Sequence, residues 1–165
     1  MSNFKKYCLL ALLFLSFCRS WAVEDGDSFG HWLVRCGPEE SAADGGCFLF
    51  QNLVLKEGGQ RVLQVAVGFV DNSPEPIALL SLPLGISLPP GAKISIDDDQ
   101  KYDMQIERCE ANGCRAGLKL SSNLLERFLL GKSLSVLFHD AQRRPIEVPL
   151  SLEGFNQGYK TMFSK

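Results

Sequence analysis

The sequence predicts an all-β fold, a β-sandwich or squat barrel of short antiparallel strands with one or two short helices. Three observations carry this expectation. Apolar residues alternate with polar or small ones over short stretches, as at Leu63, Val65, Val67 and Phe69 and again at Leu134, Val136 and Phe138, which is the period of a half-buried strand. Turn signals recur about every ten residues, as all-β domains require. Finally, Cys109 and Cys114 bracket Asn112-Gly113, a pair that tolerates positive φ and fits a tight hairpin turn.

The N-terminal residues point to a compartment. Lys5 and Lys6 precede Tyr7 to Phe17, an eleven-residue, largely apolar run, and Ser20-Trp21-Ala22 follows with small residues where signal peptidase reads. Eleven residues fall short of the roughly 20 that span a bilayer, so residues 1–22 are expected to be a cleaved leader. Cys18 sits at the depth of a lipidation site, but Phe17 is bulky where that signal wants a small residue. Removal of residues 1–22 leaves 143 residues, 23–165, expected to form one disulfide-stapled β domain. It also removes Lys5, Lys6 and Arg19, so 14 basic residues face 19 acidic ones and the net charge becomes −5. That balance argues against nucleic acid as a partner. No stretch after the leader has the length of a membrane helix.

Cys8 and Cys18 leave with the leader; Cys36, Cys47, Cys109 and Cys114 remain. Four cysteines allow three pairings. Locality favours Cys36–Cys47 and Cys109–Cys114, whose short loops would contribute about 3 and about 2 kcal/mol. A zinc site fits poorly, because ten residues separate Cys36 from Cys47, where zinc ligands keep two to four.

In chain order, Phe29 to Cys36 reads as a first strand, Cys47 to Lys56 as a second and Arg61 to Asp71 as a third. The last two form a hairpin across Glu57-Gly58-Gly59-Gln60. Two prolines make Asp71 to Pro76 a loop, and Ile77 to Leu82 is a mostly apolar strand. Pro83-Leu84-Gly85-Ile86-Ser87-Leu88-Pro89-Pro90-Gly91 is an extended crossing. Lys93 to Ile96 is a short strand, and the stapled hairpin follows with Tyr102, Met104 and Ile106 on one arm and Ala116, Leu118 and Leu120 on the other. Ser121 or Ser122 can cap a helix over Asn123 to Leu130, which Gly131 ends. Ser133 to Asp140 and Ile146 to Leu152 are strands, the second at an edge because of Pro149. Gly154 to Phe163 is a short closing helix.

No residue pattern identifies a reaction, so catalytic residues, cofactors and metal ligands are all expected to be none. His31 and His139 lack a strained nucleophile motif such as Gly-x-Ser-x-Gly. Asp97, Asp98, Asp99 and Asp103 lack the alternating spacing and glycine of a calcium loop, and Lys101 interrupts them. Gly45-Gly46 and Gly58-Gly59 lack the Lys-Ser/Thr of a phosphate loop. Leu84, Ile86 and Leu88 either cover one open end of the sandwich or form a partner contact.

Assembled in order, these features make the chain resemble the invasion-associated locus B family of bacterial envelope proteins. The matching residues are Trp32 with Cys36 four positions on, Cys47, Pro83-Leu84-Gly85 with Leu88-Pro89-Pro90-Gly91, Cys109 to Cys114 with Arg115-Ala116, and Pro149-Leu150-Ser151-Leu152-Glu153-Gly154-Phe155. The resemblance implies an all-β exported protein of a Gram-negative bacterium, periplasmic or secreted, linked to entry into host cells. It supplies no catalytic residue. The expected role is therefore non-catalytic binding of a protein partner in the envelope or the host. The alternative is a periplasmic structural or chaperone-like protein that takes client chains at a sheet edge.

Overall fold

The computed structural model describes residues 23–37, 46–54, 56, 59, 61–70 and 73–163. The leader reading for 1–22, most of the loop between Cys36 and Cys47, and most of the turn at 57–60 lie outside them.

Eleven antiparallel strands and two helices are described. They are β1 (Ser28–Phe29), β2 (Trp32–Cys36), β3 (Cys47–Val54), β4 (Arg61–Gly68), β5 (Ile77–Leu82), β6 (Ala92–Ile96), β7 (Lys101–Met104), β8 (Ile106–Glu110), β9 (Gly113–Lys119), α1 (Ser122–Leu130), β10 (Ser133–His139), β11 (Pro145–Ser151) and α2 (Phe155–Phe163). One sheet has the order β1-β2-β3-β4-β5-β9-β8 and the other β11-β10-β6-β7. Between them lies a layer that includes Leu49, Val65, Val67, Leu80 and Ala116 from the large sheet and Ile94, Leu134, Val136 and Phe138 from the small one. The expected β-sandwich is what the chain forms.

Two expected elements differ in detail. The first strand is split, because Gly30 adopts φ +57° and folds Phe29 back onto Trp32. The arm carrying Tyr102, Met104 and Ile106 is split as well. It breaks at Gln105, so that β7 pairs with β6 in one sheet while β8 pairs with β9 in the other. Strands that change sheet at a bend are how sandwiches close a corner. Both disulfides are local, joining the facing residues Cys36 and Cys47 of β2 and β3, and Cys109 and Cys114 of β8 and β9.

The far side is closed by β11, α2 and the β1–β2 turn. The Trp32 indole N–H and the Gln51 side-chain amide both donate to the Ser151 carbonyl at 3.0 Å, and the Ser151 N–H donates back to Gln51 at 3.3 Å. Phe155 is fully buried beside this contact, with its ring 4.9 Å from Trp32 and 5.5 Å from Phe128 of α1. The backbones meet closely here: a Cβ on Gly154 would lie 2.0 Å from the Phe29 carbonyl oxygen. Within α2, Asn156 and Gly158 are weak helix formers, yet the helix forms because packing outweighs propensity. Gly158 lets it approach β3, since a Cβ there would stand 2.8 Å from a Leu49 methyl. Gly131 ends α1 for a related reason. Its φ is −68°, not left-handed, but a Cβ would meet an Ile96 methyl at 2.4 Å.

The acidic run makes the β6–β7 turn. Asp97 and Asp98 both have positive φ, which aspartate tolerates. The Asp97 carboxylate accepts the N–H groups of Ser133 and Lys132 at 2.8 and 3.0 Å, tying the turn to the start of β10. These backbone donors, Ser133 first, hold its pKa below the ordinary 3.8. The Arg144 N–H does the same for Asp140.

Two outcomes follow. Phe155→Ala should cost about 3–5 kcal/mol in urea unfolding, whereas Leu130→Ala, 73% exposed, should change it by no more than about 0.5 kcal/mol. Because the folded pKa of Asp97 is depressed, its stabilisation is present above about pH 4 and is lost as pH falls through the folded value. Asp97→Asn should therefore lower the melting temperature at neutral pH and lose less on acidification than the unaltered chain, as thermal melts from neutral pH to about pH 2 would show.

Candidate functional site

The two outer faces of the sandwich differ. On the small sheet, outward polar groups satisfy one another: Lys93 pairs with Asp103 at 2.6 Å and the Ser135 hydroxyl donates to Glu147 at 2.7 Å. On the large sheet, strand register assembles an apolar row in which Leu33, Phe50, Ala66, Leu79 and Gly117 face across five strands. An outward face of an antiparallel sheet ordinarily carries polar residues. Phe50 is almost wholly covered on this face, with the Arg35 guanidinium 5.7 Å above its ring.

Small residues turn the row into a trough of about 260 Å³ with Ala66 and Gly68 as floor and Phe48 and Leu79 as walls. Gly68 has no room for a side chain, since a Cβ would stand 2.8 Å from that of Phe48. At one end the next row across the sheet is Asn52, Gln64, Ser81 and Arg115. Gln64, Ser81 and Arg115 line both the trough and a cleft of about 40 Å³ that Arg61 and Asn112 complete. Arg61 donates to the Asn112 carbonyl at 3.2 Å. Beyond the cleft a hollow of about 410 Å³ runs past Val62 and Pro83 to Leu84. A larger hollow of about 610 Å³ lies beside α1, but its Asp99 and Arg127 pair with each other and Asp97 is bound to β10.

Leu84, Ile86 and Leu88 do not act as one set. Ile86 packs against the core and bridges to Asp140; Leu84 and Leu88 are 55% and 48% exposed. The histidines are also separate. His31 faces Glu153 at 3.8 Å on the surface, and His139 ends β10 with a buried Nδ1 that lacks a hydrogen-bond partner among the described residues. The aspartates are dispersed among Ser133, Arg127 and Lys93. Among the described residues, no helix is long and apolar enough to cross a membrane.

Sequence reading missed the trough. The available signal was β5, apolar on both faces, together with Phe48 and Phe50 at outward positions of β3. The row itself needed the register of four strand pairs.

Comparison with known proteins places this fold. The crystal structure of invasion associated protein B from Bartonella henselae superposes with a TM-score of 0.72 at 19% identity, covering 84% of this chain and 95% of that one, a likeness of fold. Invasion protein B homologues from two Brucella abortus strains are 26% identical over 135 residues, covering 78% of this chain and 73% of theirs. A family model for the invasion associated locus B protein matches residues 32–162. With that match spanning the sandwich from β2 into α2, the chain belongs to the invasion associated locus B family.

Proposed function

We propose that this chain is exported to the Gram-negative envelope, loses residues 1–22, and acts in the periplasm or outside the cell as a non-catalytic binding protein in host-cell interaction. Family membership supports the link to invasion, and two disulfides suit an oxidising compartment. The observation that carries a binding role is the crossing between β5 and β6. Its Ile86 is anchored to Asp140, and the Ser87 N–H donates to the His139 carbonyl at 2.9 Å. Leu84 and Leu88 thus stand exposed on a held segment, and a protein partner gains most from apolar contacts that are already ordered.

The sheet edges support the alternative poorly. The edge strand β1 has two residues, β8 carries Glu107, Arg108 and Glu110 next to a register shift, β11 contains Pro145 and Pro149, and β7 carries Lys101 and Asp103. Short, charged or proline-bearing edges are those that resist added strands. Strand addition by client chains is accordingly set aside.

Photocrosslinking residues at positions 84 and 88 in living bacteria should capture one protein reproducibly, with little labelling from the exposed position of Gln142. Labelling no stronger than at that control would count against the reading. The double variant Leu84→Asp/Leu88→Asp should unfold within about 0.5 kcal/mol of the unaltered protein, as exposed positions do, while losing the captured partner.

A further inference from the structure

The trough on the large sheet combines two kinds of surface. Its floor and walls are apolar, and at about 260 Å³ it falls just under the roughly 300–1,000 Å³ of sites for drug-sized molecules. That space suits one slender chain better than a ring system. Its end is polar. Gln64, Ser81 and Arg115 stand side by side on β4, β5 and β9, each half-buried. None of the three side chains has a hydrogen-bond or ion-pair partner among the described residues, although their neighbours do.

A half-buried guanidinium without a counter-charge has lost solvation and gained nothing in return. The cross-strand neighbour of Arg115 is another cation, Arg108, an arrangement that is unfavourable between facing strands. Arg108 is engaged by Glu110 at 3.1 Å, and Arg61 adds a third positive group at the cleft. The nearest carboxylate along the apolar row is Glu107, held over Gly117. An otherwise acidic protein therefore presents a positive, donor-rich end to an apolar trough.

We infer that the trough binds a long-chain carboxylate. The alkyl chain lies on Ala66 and Gly68 between Phe48 and Leu79, and the carboxylate accepts hydrogen bonds from Gln64, Ser81 and Arg115. Amide, hydroxyl and guanidinium together offer enough donors for both carboxylate oxygens. This site is independent of the protein contact proposed at Leu84 and Leu88.

Calorimetric titration of protein purified from the full-length chain, with octanoate, decanoate and laurate, tests it. Saturable binding at one site is expected, tightening about fourfold for each added methylene. Arg115→Gln should weaken laurate about 10- to 100-fold, the worth of hydrogen bonds to a charged group, with an unchanged melting temperature. Ala66→Phe should abolish binding by filling the floor. Decanol binding as tightly as decanoate, indifference to Arg115→Gln, or no binding of laurate would each overturn the inference. So would binding to phosphatidylglycerol vesicles without binding of monomeric laurate, which would reveal a membrane surface site instead. Failure here would leave the crosslinking at positions 84 and 88 unaffected, because that readout does not pass through the trough.

Discussion

The structure depends most on the contact that brings the two sheets together at Ser151. Apolar burial supplies the driving force for stacking sheets, but it is non-directional and does not choose how they align. The Trp32 indole and the Gln51 amide do choose, because both converge on one carbonyl of β11. A buried donor that missed its acceptor would keep its desolvation cost. Phe155 then fills the space beside Trp32, and the glycine-to-backbone approach at Gly154 leaves no slack. One carbonyl thus fixes how the sheets align, and the packing of Phe155 and Gly154 beside it places α2 against the turn from β1 to β2.

Closing the sandwich in this way uses the inner faces of β2 and β3 and both helices. Among the described residues no further layer lies on the outer face of the large sheet, and there apolar and small residues persist from β2 to β9. On the small sheet, by contrast, Lys93 pairs with Asp103 and Ser135 with Glu147 around Leu137, so that the polar groups of that face satisfy one another. The disulfides follow the same division. Each clasps two neighbouring strands near a flank of the large sheet, and neither crosses to the small one. They secure the strands that border the outer face, while the core and Ser151 hold the layers together.

Much of this was legible along the chain. Alternation marked β4, β10 and β11; Asn112-Gly113 marked the β8–β9 hairpin; Pro149 marked an edge; and Leu124, Leu125, Phe128 and Leu129, three and four apart, marked α1. Each rests on a local rule, in which a residue's neighbours within a few positions decide its conformation. The local cysteine pairs belong to the same class, because hairpins put their members face to face. The closing helix is a partial case: Asn156 and Gly158 favour it poorly by propensity, and the packing of Gly158 on Leu49 decides for it.

What the amino-acid sequence determined by itself, then, is the β content, the hairpins, the cystines and the family pattern. The tertiary structure alone decided that the chain changes sheet at Gln105, that β5 lies beside β9 and β6 beside β10, and that Ile86 packs against the core while Leu84 and Leu88 stand exposed. It alone aligned Gln64, Ser81 and Arg115 into one row. The physical reason is that a two-residue period tells which side chains share a face of a strand. Which strand comes to lie alongside is set by burial and hydrogen bonding between segments far apart in the chain.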